Sequence, residues 1–212
     1  MTPRSGLGIE LVPIPAGEFL YGDDKERKYL PGYEIMKYPV TVAQYRQFCQ
    51  ATGRVMPIAP NWGWQDTHPM VNVTWDDASA FAAWTGLALS TEEQWEKAAR
   101  GMDGWEYPWG NTWDAAKCQC SPHGHYSADA HSTVSVGSFP AGASPYGCLD
   151  MAGNVWEWCD SWYEVNKTRV LRGECWIHGD PDTFRAAFRY CRAPTFWNTL
   201  NGFRCVSRSP AS

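Results

Sequence analysis

The sequence predicts an α+β domain, and three observations predict it. All helical patterns fall before Gly101. The second half is rich in turn residues and holds short apolar runs but no helical pattern of length. No linker, low-complexity stretch or internal repeat divides the 212 residues, so they read as one domain, 1–212.

Residues 10 to 21 read as a short strand with a Pro-Gly turn inside it. Thr41 begins a helix that runs through Tyr45, Phe48 and Cys49 and stops at Gly53. Thr74 caps a second, Trp75 to Thr85. Asp76 and Asp77 lie in its first turn, where the helix dipole favours anions, and Gly86 ends it. Ala78, Phe81, Ala82 and the nearby Trp84 follow helical spacing. Ser90 with Glu93 reads as a capping box for a third helix, through Trp95 and Ala98 to Gly101.

Hydrophobic content of 44% with 19% charged residues marks a folded protein. Thirteen tryptophans suit a fold with much loop, because each ring buries a large apolar area. Trp62, Trp64, Trp95, Trp109, Trp156 and Trp158 read as core. A net charge of −5 disfavours a nucleic-acid partner. No run approaches the ~20 apolar residues of a membrane span. The first residues lack the apolar run of a secretory signal, so the chain as given is expected in the cytoplasm, unless trimming has removed a signal and with it surface display. Eight cysteines then read as thiols. Cys118 and Cys120 share one face of an extended segment. Metal binding there needs two more soft ligands, and the spacing to His123 and His125 is not a zinc pattern, so burial is the preferred reading.

From Asn166 onward there are eight basic and three acidic residues. Either the surface takes an acidic ligand or the arginines brace irregular loops through forked hydrogen bonds; bracing is the preferred reading. Arg172, Arg185, Arg189 and Arg204 are assigned to that framework. Residues 177–201 hold Phe184, Phe188, Tyr190, Phe196 and Trp197 without a period of 2 or 3.6, which a core strand or helix would show. Large aromatics in irregular backbone supply contact area at low entropy cost. The same stretch lacks Lys, Glu, Gln and Met.

Several phrases carry a resemblance. They are Val12-Pro-Ile-Pro-Ala-Gly-Glu-Phe19, Tyr38-Pro-Val-Thr41, His68-Pro-Met-Val-Asn-Val-Thr-Trp75 and Leu89-Ser-Thr-Glu-Glu-Gln-Trp-Glu96. Tyr107-Pro-Trp-Gly-Asn111, Gly153-Asn-Val-Trp-Glu-Trp158 and Asn201-Gly-Phe-Arg204 complete the set. In this order they resemble the formylglycine-generating-enzyme family, from about residue 10 to 206. The resemblance implies a modified C-type lectin fold, with few helices and short strands. Oxidase members carry a Cys-x4-Cys pair that binds copper. Here those positions fall at His178 and Thr183, and no Cys occurs from Trp176 to Tyr190. Thiolate chemistry requires the thiolate, so the departure argues against an enzyme and against a redox cofactor. A copper oxidase or divergent enzyme remains the alternative, as does a fixed-specificity sensor or accessory domain.

A second branch fits better. Variable proteins of bacterial diversity-generating retroelements end in a segment framed much as Leu171-Arg-Gly173 and Gly202-Phe-Arg204 frame this one. In that branch template adenines are replaced at random. Asn codons ending in a pyrimidine then never yield Lys, Glu, Gln, Met or Trp. The resemblance therefore implies a diversified, non-catalytic ligand-binding surface within about 172–206, with a protein or other macromolecule as partner. The residues expected to line it are Cys175, Ile177, His178, Gly179, Asp182, Thr183, Phe188, Tyr190, Cys191, Arg192, Thr195, Phe196, Thr199 and Leu200. Trp197 cannot come from an Asn codon and is expected to be framework or to derive from another codon. The resemblance also implies structural Ca2+ at Asn154, Val155 and Glu157, whose oxygens within four residues suit a hard cation. Asp129 and Gln119 are weaker candidates for a second cation.

Overall fold

A computed structural model describes residues 6–121 and 132–207. The run at 10–21 is two strands rather than one, β1 (Leu11–Ile14) and β2 (Gly17–Tyr21), and they belong to different sheets. Gly17, at φ +145°, makes the change of direction between them. β2 pairs with β3 (Glu26–Leu30), as a hairpin. β4 (Tyr33–Met36) returns to β1.

Helices α1 (Val42–Thr52) and α2 (Trp75–Thr85) start on Thr41 and Thr74 and end on the left-handed glycines Gly53 and Gly86, as their sequences predict. The third helix, α3 (Glu92–Arg100), starts one residue later than expected. Thr91 accepts from the Gln94 backbone, and the Gln94 side chain returns to Thr91. The overlapping Ser90/Glu93 pair does not form the box, because Ser90 is buried and the Glu93 carboxylate lies 3.5 Å from Lys28. Between α2 and α3 lies β5 (Leu87–Leu89). The later strands are β6 (Trp156–Glu164), β7 (Thr168–Arg172), β8 (Tyr190–Arg192), β9 (Asn201–Gly202) and β10 (Cys205–Ser207).

One sheet runs β1-β4-β10-β5 and a second runs β8-β7-β6-β9. The phrase Asn201–Cys205 joins them. Gly202 sits opposite Glu157 in the second sheet, and three residues on Cys205 sits opposite Leu89 in the first. Between them Phe203 enters the main core with Tyr45, Phe48 and Phe81 from α1 and α2. Trp95, Trp156 and Trp158 are buried as expected. Trp62, Trp64 and Trp109 are only partly buried, at the core's edges.

Ion pairs, those of Arg204, Arg172 and Arg100 fully buried, brace the junction. Arg204 is fully buried. Its Nε and Nη2 donate to both oxygens of Glu157 at 2.7 Å, and its remaining N–H groups reach the carbonyls of Met36, Lys37, Leu149 and Asp150. Arg172 donates to Glu96 and to the carbonyls of Ala186 and Ala187, and Arg100 meets the other Glu96 oxygen at 2.9 Å. Arg189 forks onto Glu92 with two bonds of 2.8 Å, and Arg185 pairs with Asp23. These arginines brace, as their placement among irregular loops suggests. Among the described residues no helix is long and apolar enough to cross a membrane.

Candidate functional site

The segment between β7 and β9 has little regular structure, so its shape is set by what it is tied to. At its start, Gly173 has φ +96°, and a Cβ there would lie 2.9 Å from the Trp95 ring. Glycine is the residue that meets both demands. The Gly173 carbonyl accepts from Gly153 N–H, and the Trp176 N–H donates to the Asn154 carbonyl. The Trp176 indole donates to the Thr199 carbonyl, and Ser121 N–H donates to that of His178. At its end the backbone is pinned to the approach to α2. Asn72 N–H donates to the Asn198 carbonyl at 2.9 Å and Trp75 N–H to the Pro194 carbonyl at 3.0 Å.

The fourteen residues expected on the surface divide into groups. Ile177, Phe188, Tyr190 and Leu200 are half-buried and lean on the main core; Tyr190 and Phe188 lie over Trp156 with ring centres 5.1 and 6.2 Å away. Asp182 and Thr183 belong to a 3-10 turn, Pro181–Phe184, where Thr183 donates to the Asp180 carbonyl. Asp182 and Thr195 are exposed, whereas Gly179, Cys191 and Thr199 are half-buried. The Arg192 guanidinium lies 4.3 Å from the Tyr190 ring centre and 5.3 Å from that of Phe196. Cys175 corrects the expectation. It has no exposed surface, because its side chain turns inward into the main core.

Trp197, expected as framework or as the product of another codon, is exposed. It is 49% exposed beside Phe196 at 37%, the highest values among the segment's large apolar side chains. Trp197 lines a cleft of about 310 Å³ with Val55, Pro57 and Ile58 from the loop after α1, and with Arg54, Asn72 and Asp77. Val55 and Ile58 are strongly exposed too. The sequence reading missed this wall of the cleft. Its signal was a run of apolar residues, Val55-Met-Pro-Ile58, placed directly after a helix stop.

The Asn154, Val155 and Glu157 set does not fit an ion. Glu157 is buried with both oxygens held by Arg204, and one of them also accepts from the Trp95 indole at 2.8 Å. Asn154 pairs its side-chain amide with the Val134 backbone, accepting at 3.1 Å and donating at 3.2 Å. Gln119 donates its side-chain N–H to the Ser132 carbonyl at 3.2 Å. Asp129, His123 and His125 lie outside the described residues.

A different cluster forms on the turn after Gly173. Glu174, at φ +63°, folds its carboxylate inward, 1% exposed. One oxygen lies 2.6 Å from His178 Nδ1, 3.0 Å from Cys175 N and 3.4 Å from Cys175 Sγ. Cys175 Sγ is 3.9 Å from His178 Nδ1. Burial, then the Glu174 charge, pushes the Cys175 thiol well up, which removes the easily formed thiolate of a nucleophile. The hydrogen bond to Glu174 raises the His178 imidazole, against the effect of burial.

Residues 3–209 match the family described as the Sulfatase-modifying factor enzyme 1-like domain. Among curated relatives, a serine/threonine-protein kinase pkn1 of Chlamydia caviae is 33% identical over 94% of this chain, which spans only 38% of that protein. Formylglycine-generating enzymes and proteins named as their inactive counterparts are also relatives, so the family holds both. In structure the chain is similar to PvdO from Pseudomonas aeruginosa, at TM-score 0.78 and 24% identity over 93% of this chain and 94% of the other. It is similar also to Treponema denticola variable protein 1, at TM-score 0.71 and 18% identity over 94% and 95%. The C-type-lectin-like α+β architecture expected from the sequence is therefore the one this chain has. With nearly its whole length matched, the chain belongs to the formylglycine-generating-enzyme, or sulfatase-modifying-factor, family.

Proposed function

We propose that this chain is a non-catalytic binding protein whose segment between Arg172 and Arg204 presents a surface for a protein partner, and that a retroelement diversifies the segment. The observation that carries the reading is Trp197, exposed where it lines the cleft, with the exposed Phe196 next to it in sequence, on backbone pinned to Asn72 and Trp75. Rigidly held, exposed aromatics beside a concave apolar wall are what the anchors of protein interfaces share. The absence of Lys, Glu, Gln and Met from 177–201 supports diversification. The absence of both thiols of the oxidase pair, with the nearby Cys175 buried and its thiol pushed well up, supports a role without oxidation chemistry.

The test is the gene's locus, sequenced in several isolates. The reading expects a near-identical copy of the stretch coding for about residues 172–206, beside a reverse transcriptase, with mismatches at template adenines. A locus without that copy, and with codons 175–200 invariant between isolates, makes the surface one of fixed specificity and removes diversification.

A further inference from the structure

We propose that Glu174, Cys175 and His178 form a site for one divalent transition-metal ion of the zinc class, bound through a carboxylate oxygen, a sulfur and an imidazole nitrogen. The three potential ligand atoms lie within 4.8 Å of one another. Their separations are 2.6, 3.4 and 3.9 Å. A tetrahedral ion with bonds of ~2.0–2.3 Å holds its ligands about 3.3–3.6 Å apart. Side-chain adjustments of under about an ångström therefore convert the cluster into a coordination shell.

Two further observations point to a cation. The first is charge. Glu96 and Glu157 are buried against arginines, but among the described residues the Glu174 carboxylate has no lysine or arginine within ion-pair distance; the basic group beside it is the His178 imidazole. A buried carboxylate is costly without a compensating positive charge. A divalent ion supplies that charge, and also favours the thiolate that burial alone disfavours.

The second is preorganisation. The turn carrying the three residues is fixed by bonds that involve none of their side chains: Trp176 N–H to Asn154, the Trp176 indole to Thr199, and Ser121 N–H to the His178 carbonyl. Fixed supporting contacts are what tune a metal site. The donor set selects the ion. A single sulfur with nitrogen and oxygen suits Zn2+, whereas Ca2+ and Mg2+ want oxygens throughout and Cu(I) wants more sulfur. Among the described residues the three ligands leave a fourth position, and a third of the His178 side chain is exposed.

The experiment is a Co2+ titration of the whole reduced chain without oxygen, read by absorption. One equivalent is expected to give visible bands of tetrahedral intensity and a sulfur-to-cobalt charge-transfer band, both abolished by Zn2+. Cys175→Ser and His178→Gln are each expected to lose the charge-transfer band, while Cys118→Ser retains it. Circular dichroism checks that each variant folds, and His178→Gln is the safer because that side chain is half-buried only. Absence of the band in the unaltered protein overturns the proposal. So does its survival in a folded His178→Gln variant, or its loss only in Cys118→Ser, which moves the metal to the Cys118–Cys120 pair.

Discussion

Glu157 and Glu174 are both buried carboxylates, and they sit in opposite kinds of surroundings. Glu157 is held by Arg204 and Trp95, with donors on both oxygens. Glu174 sits one turn into the irregular segment with a thiol and an imidazole. The first region is a scaffold whose charges are satisfied internally. The second is satisfied by groups that also serve as ligands. The difference teaches where to look for chemistry in a loop-rich fold. Buried charge alone does not mark a site, because the most deeply buried charges here are structural.

Breaking the scaffold side should have the largest effect. Arg204→Met leaves Glu157 buried without its cation and is expected to cost about 3–5 kcal/mol in urea unfolding. Adding Glu157→Met should recover part of that loss. Glu174→Gln, made on the other side of the comparison, should cost less than half as much. Equal losses would erase the distinction between the two regions.

A smaller effect concerns pH. Asp150 lies in the scaffold near Arg204, its carboxylate accepting from Gly137 N–H at 2.7 Å. Burial raises its carboxyl to about 6, against the lowering effects of that hydrogen bond and of Arg204. Between about pH 4 and 6 the folded state thus holds a proton that the unfolded chain has released. The group's contribution is complete below about pH 4, the ordinary aspartate range, and is lost as pH rises through about 6. The loss is expected at roughly 2–3 kcal/mol at most. Asp150→Asn should flatten this part of the profile, and the difference in melting temperature between the two proteins across that window measures it.

Gly173→Ala sharpens the boundary between the regions. The positive φ and the approach to Trp95 should together cost about 2 kcal/mol, read as a lower urea midpoint. The smallest effect on stability should come from Phe196→Ala with Trp197→Ala, within about 0.5 kcal/mol for exposed side chains. If the surface reading is right, the same pair weakens capture of a partner at least tenfold while melting is unchanged.

Much of the scaffold was legible in the sequence. Thr41, Thr74, Gly53 and Gly86 bound their helices because cap chemistry is local. The arginine framework was legible too, since arginines among loops have few other uses. The α3 cap slipped by one residue because two overlapping boxes were available, and only the contact of Glu93 with Lys28 chose between them. The candidate site was less legible. Trp197 and Val55 lie far apart in sequence, and nothing local says that they share a cleft. Glu174 was hidden for a similar reason. Its inward turn depends on a left-handed backbone that sequence suggests for glycine but not for glutamate.

The position of β10 between β4 and β5 has a consequence for how the protein is made. A nascent chain that has emerged through Arg204 still lacks the strand that pairs with Ile35 and Ala88, so both neighbouring edges stand open. Nor can Phe203 and Arg204 fill the interior until the whole irregular segment has been synthesised. Folding of this domain is therefore held back until the chain through Ser207 has been made, and the exposed edges make truncation before that point a route to aggregation. Any process that rewrites the segment between Arg172 and Arg204 must leave Cys205–Ser207 intact, because that last short strand is what allows the first half to close.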